Sequence, residues 1–186
     1  LTGPVQIEAL AKALATLVER HEPLRTTLST NETGQVIGLT YATPTPSTLL
    51  PLVHLEHLSG PEQDRELTSF LQAEAAKPFA ISKDLPIRAH LICLSEQDHV
   101  LSLTLHHHAS DGLSIVIFTQ ELSAAYAAYC QGQEPVFEPL PVQYADWAAW
   151  QQQVFEQDTE SADSLVAKVA RAKERLAGAP ELLTLP

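Results

Sequence analysis

Between residues 101 and 114 the sequence LSLTLHHHASDGLS must change structure abruptly, and that change constrains the whole chain. Leu101, Leu103 and Leu105 alternate with Ser102 and Thr104, the period-two pattern of a strand buried on one face. Continued alternation puts His107 on the leucine face and His106 and His108 opposite. Ser110, Asp111 and Gly112 then form a tight turn, and an apolar helix starts near Leu113. One imidazole therefore ends an apolar face, four residues from a carboxylate and beside a helix N-terminus. That arrangement can hold a catalytic histidine in a fixed orientation.

Upstream, Ile7, Leu10, Ala11, Leu14, Leu17, Val18 and His21 recur at helical spacing, with Pro4 suited to the start and Pro23 ending it. Residues 24–29 and 35–41 read as a hairpin about a turn at 31–34, and residues 42–51 as a surface loop. Residues 52–58 read as a strand. Ser59 caps the next helix, with Glu62 three residues on, and Leu67, Phe70, Leu71 and Ala75 are its buried stripe. Residues 86–95 and 99–107 are an antiparallel pair. Residues 113–131 form a helix apolar nearly all round, expected to be covered on more than one side. A Pro-rich loop over 134–141 precedes helices at about 142–156 and 165–177, with a break over 158–164. The order predicts an α/β (or α+β) two-layer sandwich, a mixed, largely antiparallel sheet with helices packed on it.

A chain of 186 residues can bury one real core, and a formal net charge of −12 argues against nucleic acid or an anionic membrane as the main partner. No apolar run approaches a membrane span, and no secretory signal is present. Cys93 and Cys130 lack metal-type spacing and read as two buried free thiols, which fits a reducing, cytoplasmic setting. The chain contains no methionine, so it is expected to be processed or cut from something longer.

Several readings of the histidines stay open. His106 and His108 can supply two ligands of a three-histidine zinc site, with the third from His54, His57, His90 or His99. His107 can be a hydrogen-bonded core residue, and Asp111 a helix N-cap, which does not exclude a second role. No Ser or Cys sits in a nucleophile elbow and no Gly-rich phosphate loop is present. If His107 acts, it assists attack by a nucleophile that the substrate brings. Lys168, Arg171, Lys173 and Arg175 are either a solvated helix face or a docking patch for an acidic partner.

Together, three stretches resemble a known family. His106-His107-x-x-x-Asp111-Gly112 resembles the HHxxxDG motif of nonribosomal peptide synthetase condensation domains, within the chloramphenicol acetyltransferase-like acyltransferases. Residues 20–26, RHEPLRT, resemble the family's RHExLRT motif, and residues 144–150, YADWAAW, its YxDFAxW motif. Pro78-Phe79 and Gly178-Ala179-Pro180 also match family positions. The match departs at His108, where the family usually has an aliphatic residue. The epimerization branch shares HHxxxDG but follows it with Ser-Trp-Arg, whereas Ser114 is followed by Ile115 and Val116.

The resemblance implies a chloramphenicol acetyltransferase-like N-terminal lobe over residues 1–186, lacking the family's first motif and its second lobe, and inactive alone. It implies condensation of two acyl groups carried as thioesters, with an epimerization domain or a non-catalytic docking lobe as alternatives. The substrates ride on the 4′-phosphopantetheine of donor and acceptor peptidyl carrier proteins; the lobe itself is expected to bind no cofactor and no metal. The C-terminal lobe and a neighbouring adenylation domain are the other expected partners. His107 is the expected catalytic residue, with His106, Asp111 and Gly112 completing the motif. Asp111 is expected to be structural, ion-paired with Arg25 or, failing that, Arg88. Gly112 is expected to keep a substrate tunnel clear, and the amides of residues 112–114 to favour a developing oxyanion.

Overall fold

The computed structural model describes residues 1–157 and 164–180. The chain divides into two units, Leu1–Pro141 and Val142–Pro186.

In the first unit, α1 (Ile7–Arg20) buries Leu10, Leu14, Leu17 and Val18 along one stripe. Pro23 cannot continue its hydrogen-bond ladder, and the chain tightens into a 3-10 turn, Glu22–Arg25. Strands β1 (Thr26–Thr30) and β2 (Val36–Thr40) form the expected hairpin. Its turn is shaped by Asn31 Oδ1, which accepts from the amides of Thr33 (3.1 Å) and Gln35 (2.9 Å). The loop expected after it contains a one-turn helix, α2 (Pro46–Leu49), fastened by buried Leu49 and Leu50.

Strand β3 (Leu52–His54), helix α3 (Gly60–Ala76), strands β4 (Ile87–Cys93) and β5 (His99–Leu105), and helix α4 (Gly112–Cys130) follow. β4 is central, parallel to β3 and antiparallel to β5. Its register sets Ile87, Ala89 and Leu91 opposite Leu105, Leu103 and Leu101. This face packs with Leu10, Leu14 and Leu17 of α1 and with Phe118, Leu122 and Ala125 of α4 in one apolar cluster. Leu14, Leu17 and Leu91 are almost fully buried, each contributing about 1.5–3 kcal/mol. The opposite face carries Arg88 and His90 towards α3, where Phe70 meets His90 edge-on at 5.1 Å. The mixed α/β architecture is as expected, and helices cover both faces of the sheet, one layer more than the two expected.

Four local readings differ. Ser59 stands at the N-cap of α3 without a side-chain capping bond; instead Gln63 Nε2 donates to the carbonyls of Leu55 (2.9 Å) and Leu94 (2.8 Å). Ala75 is exposed, so the stripe of α3 is Leu67, Phe70 and Leu71. The first turns of α4 are not covered among the described residues, and Leu113, Val116 and Ile117 are exposed. Of the two thiols, Cys93 is buried and Cys130 half-buried.

In the second unit, α5 (Tyr144–Gln157) starts with Asp146 accepting from the Gln143 amide at 2.8 Å. α6 (Leu165–Arg175) starts with Ser164 capping the Ala167 amide at 3.2 Å. Lys168, Arg171, Lys173 and Arg175 are exposed on α6. Most of the expected break over 158–164 lies outside the described residues, as do residues 181–186. No described helix is long and apolar enough to cross a membrane.

Candidate active site

The histidine turn starts opposite a proline just ahead of the neighbouring strand β4. The His106 amide donates to the Pro86 carbonyl at 2.9 Å, extending the β4–β5 ladder by one bond. The reciprocal bond needs a Pro86 N–H, which proline lacks. The His106 carbonyl instead accepts from the Ala109 amide at 3.0 Å, and the chain turns. Alternation therefore stops at Leu105, which corrects the expected placing of His107 on the leucine face. His107 is exposed at the turn, while Leu105 stays against the core.

His107 Nδ1 lies 3.1 Å from the Ser110 carbonyl oxygen. A carbonyl only accepts, so Nδ1 carries the proton, and the neutral ring presents a bare Nε2. His106 and His108 come together with ring centroids 4.7 Å apart. His106 also meets the Phe79 ring edge-on at 5.6 Å, and Arg88 lies over that ring at 3.8 Å. Phe79, of the Pro78-Phe79 pair, thus joins the site by touching the motif's first histidine.

Asp111 is exposed and caps α4. Its Oδ1 accepts from the Ser114 amide (2.9 Å) and hydroxyl (2.7 Å), and its own amide donates to Ser114 Oγ at 3.2 Å. The Ser114 hydroxyl, and then the Ser114 amide, hold the carboxyl below the usual aspartate range. Capping thus engages the Ser114 amide, one of those expected to face an oxyanion. Gly112 has no left-handed backbone angle, and a Cβ built there meets nothing within 4 Å. Its missing side chain leaves open space rather than relieving strain.

The structure does not bring Arg25 and Asp111 together. Arg25 donates to the carbonyls of Tyr41 (2.7 Å) and Glu19 (3.4 Å) and lies 3.6 Å from Glu22. It ties the end of α1 to the end of β2, while Asp111 has its partners within its own capping box. Arg88 is no partner either: it donates to the carbonyls of Lys77 (2.6 Å), Glu74 (3.1 Å) and Pro78 (3.2 Å), closing the C-terminus of α3. The Arg20-His21 pair of the RHEPLRT stretch meets Glu121 of α4, at 3.1 Å from Arg20 Nε and 2.6 Å from His21 Nε2. Glu121 and the capping role of the Ser114 side chain escaped the sequence reading. The Asp-x-x-Ser spacing of a capping box was the available signal for Ser114; nothing local marks Glu121.

Among the described residues, the group of three metal-ligating side chains that cluster is His54, Glu56 and Cys93, with ligand atoms within 4.8 Å of one another; His106 and His108 meet each other but are not joined by a third. His54 and Glu56 face solvent and already bond each other at 2.9 Å. That bond holds the Glu56 carboxyl low, while burial pushes the Cys93 thiol up.

The family model described as "Condensation domain" matches residues 1–164. The chain is 38% identical over 186 residues to a linear gramicidin synthase of Brevibacillus parabrevis, covering 100% of this chain and 2% of that protein. It is 34% identical over 187 residues to the isonitrile lipopeptide synthase of Mycobacterium tuberculosis, covering 100% and 7%. The X-domain from teicoplanin biosynthesis superimposes with a TM-score of 0.85 at 33% identity, over 100% of this chain and 39% of that one. The first condensation domain of the calcium-dependent antibiotic synthetase shares the fold, with a TM-score of 0.73 at 22% identity, over 97% of this chain and 41% of that one. The chain thus spans a few per cent of these curated relatives and about two-fifths of these solved chains. Matched over the whole of its first unit and beyond, the chain belongs to the condensation domain family.

Proposed function

We propose that this chain supplies the histidine-bearing side of a site that joins two carrier-bound acyl groups through a peptide bond. The acceptor's α-amine attacks the donor's thioester carbonyl, forming the C–N bond. The C–S bond then breaks, and the donor's phosphopantetheine thiol leaves. A free α-amine has a pKa of about 7.7–8, so an appreciable fraction is neutral near pH 7 and can attack unaided. The proton to be managed is the extra one on the ammonium of the tetrahedral intermediate. His107 takes it at Nε2, and the departing thiolate is protonated in turn, so the step is proton-neutral. General-base help of this kind is worth about 10²- to 10⁴-fold.

The observation that carries this reading is the His107 Nδ1 bond to the Ser110 carbonyl, which leaves Nε2 free on an exposed imidazole. Open space at Gly112 and the uncovered apolar turns of α4 beside it support a substrate passage along this side. The other wall, the carrier proteins and the neighbouring adenylation domain belong to the same proposal. The test offers donor- and acceptor-loaded carrier proteins to the full condensation domain and seeks the amide product by mass spectrometry. Product from the intact domain, lost in His107→Ala, is the expected result. Equal product from both would remove His107 from the mechanism.

A second reading, a docking lobe without catalysis, draws on the likeness to the teicoplanin X-domain, which is also described in complex with OxyB. The same assay separates the two, because a docking lobe binds loaded carriers and yields no amide.

A further inference from the structure

We propose that His54, Glu56, Cys93 and His99 form a zinc site at the end of the sheet remote from the histidine turn. The site does not rest on the function proposed above.

The register of the sheet builds it. His54 of β3 pairs with Cys93 of β4, and Cys93 pairs in turn with His99 of β5. Cross-strand partners share a face, so imidazole, thiol and imidazole stand in one row across three strands. The row follows that of Leu52, Leu91 and Leu101 on the same face. The Leu94 amide donates to the Asp98 carbonyl at 2.9 Å, which makes Cys93 and His99 the next, non-hydrogen-bonded pair. A pair of that kind sets its Cα atoms about 4.5 Å apart and brings its side chains closest. Glu56 joins from the turn after β3, with Oε1 2.9 Å from His54 Nδ1.

Two independent observations point to a ligand. One ligand atom each from His54, Glu56 and Cys93 lie within 4.8 Å of one another. Beside Cys93, His99 is only 8% exposed, and its Nδ1 is buried with no hydrogen-bond partner among the described residues. A buried polar atom without a partner is costly, and a bound ion is one way of satisfying it.

The donor set selects zinc. Thiolate and imidazole suit zinc, whereas calcium and magnesium favour oxygen ligands. One thiolate, one carboxylate and two neutral imidazoles bring two negative charges, which a divalent ion cancels. Bonds to zinc of about 2.0–2.3 Å put tetrahedral neighbours about 3.3–3.7 Å apart, so the clustered atoms must close by little more than about 1 Å. His54 and Glu56 are exposed and can make that movement, while Cys93 is held on the central strand. On binding, the Cys93 thiol gives its proton to solvent as the Sγ–zinc bond forms, and no group is oxidised or reduced. The ion would fasten β3, an edge strand of three residues, to both its neighbours. No spacing motif advertises the site, because its ligands come from three strands.

The test uses the full condensation domain, expressed without a histidine tag and stripped with a chelator. Zinc chloride is titrated in by calorimetry, and cobalt(II) is added separately for absorption spectra. The expected result is one equivalent of zinc bound, with the thiolate-to-cobalt band and the visible bands of a tetrahedral site. Loss of groups that merely support a ligand costs 10- to 100-fold, so His54→Ala, Glu56→Ala, Cys93→Ser and His99→Leu should each weaken binding at least about tenfold. Cys93→Ser should also abolish the thiolate band. Metal-free melts show which variants fold; His54→Ala and Glu56→Ala change exposed side chains and carry the test if the buried pair fails. No binding above background, or full affinity in any folded variant of the four, would overturn the proposal. So would zinc lost in His106→Ala or His108→Ala and kept in His54→Ala, which would place the ion at the histidine turn.

Discussion

His21 Nε2 and Glu121 Oε2 meet at 2.6 Å, joining the residue after α1 to the middle of α4. Arg20 holds the other carboxylate oxygen at 3.1 Å, and all three side chains are largely buried. The conspicuous Arg-His pair of the RHEPLRT stretch therefore fastens the helix that begins at the histidine turn.

Glu121→Gln should cost about 1.5–3 kcal/mol, the range for hydrogen bonds to charged groups. In a domain of this size each kcal/mol lowers the melting temperature by about 2–4 °C. His21→Ala combined with Glu121→Gln should cost less than the two single losses summed. Additive losses in thermal melts would show the contact to be energetically idle.

Asp111→Ala should lower the melting temperature by removing the α4 cap, and Asp111→Asn should largely restore it. Arg25→Ala should lower it independently, so the losses in the double variant should add. A coupled loss would restore the ion pair that the structure lacks. Because Asp111's folded pKa lies below its unfolded value, its contribution is complete above pH ~4 and is lost as pH falls through the lowered value.

Gly112→Ala should melt no lower than wild type, because the backbone angle is ordinary and the space is open. It should nevertheless reduce turnover if substrate passes there. A stable variant with full turnover would show that the open space is not used.

His90 is predicted to make the fold acid-sensitive. Burial lowers its pKa, against the opposing pull of Glu74, so the unfolded state binds protons more readily. Its contribution is complete above its unfolded pKa of about 6.5 and is lost as pH falls below that. His90→Gln should flatten the decline in melting temperature from pH 7 to pH 5. An identical slope in both proteins would assign the sensitivity elsewhere.

Much of this was legible in the residues. The leucine alternation over 101–105 and the apolar stripe of α1 specified the faces they bury, because each pattern matches the period of its element. The histidine positions were less legible. Where β5 ends is decided by Pro86, distant in sequence and just ahead of β4, so extrapolating the alternation misplaces His107. Arg25 was misassigned because its partners are mainly backbone carbonyls, which every residue offers and no sequence pattern advertises. The one-turn helix α2 is too short for periodicity to reveal.

Pro86 also separates scaffold from chemistry. The bend at His106 sits where the neighbouring chain, at Pro86 just ahead of β4, has no donor to offer. Residues 106–108 stand where that bend displays them, which makes this corner a natural place to graft a catalytic set.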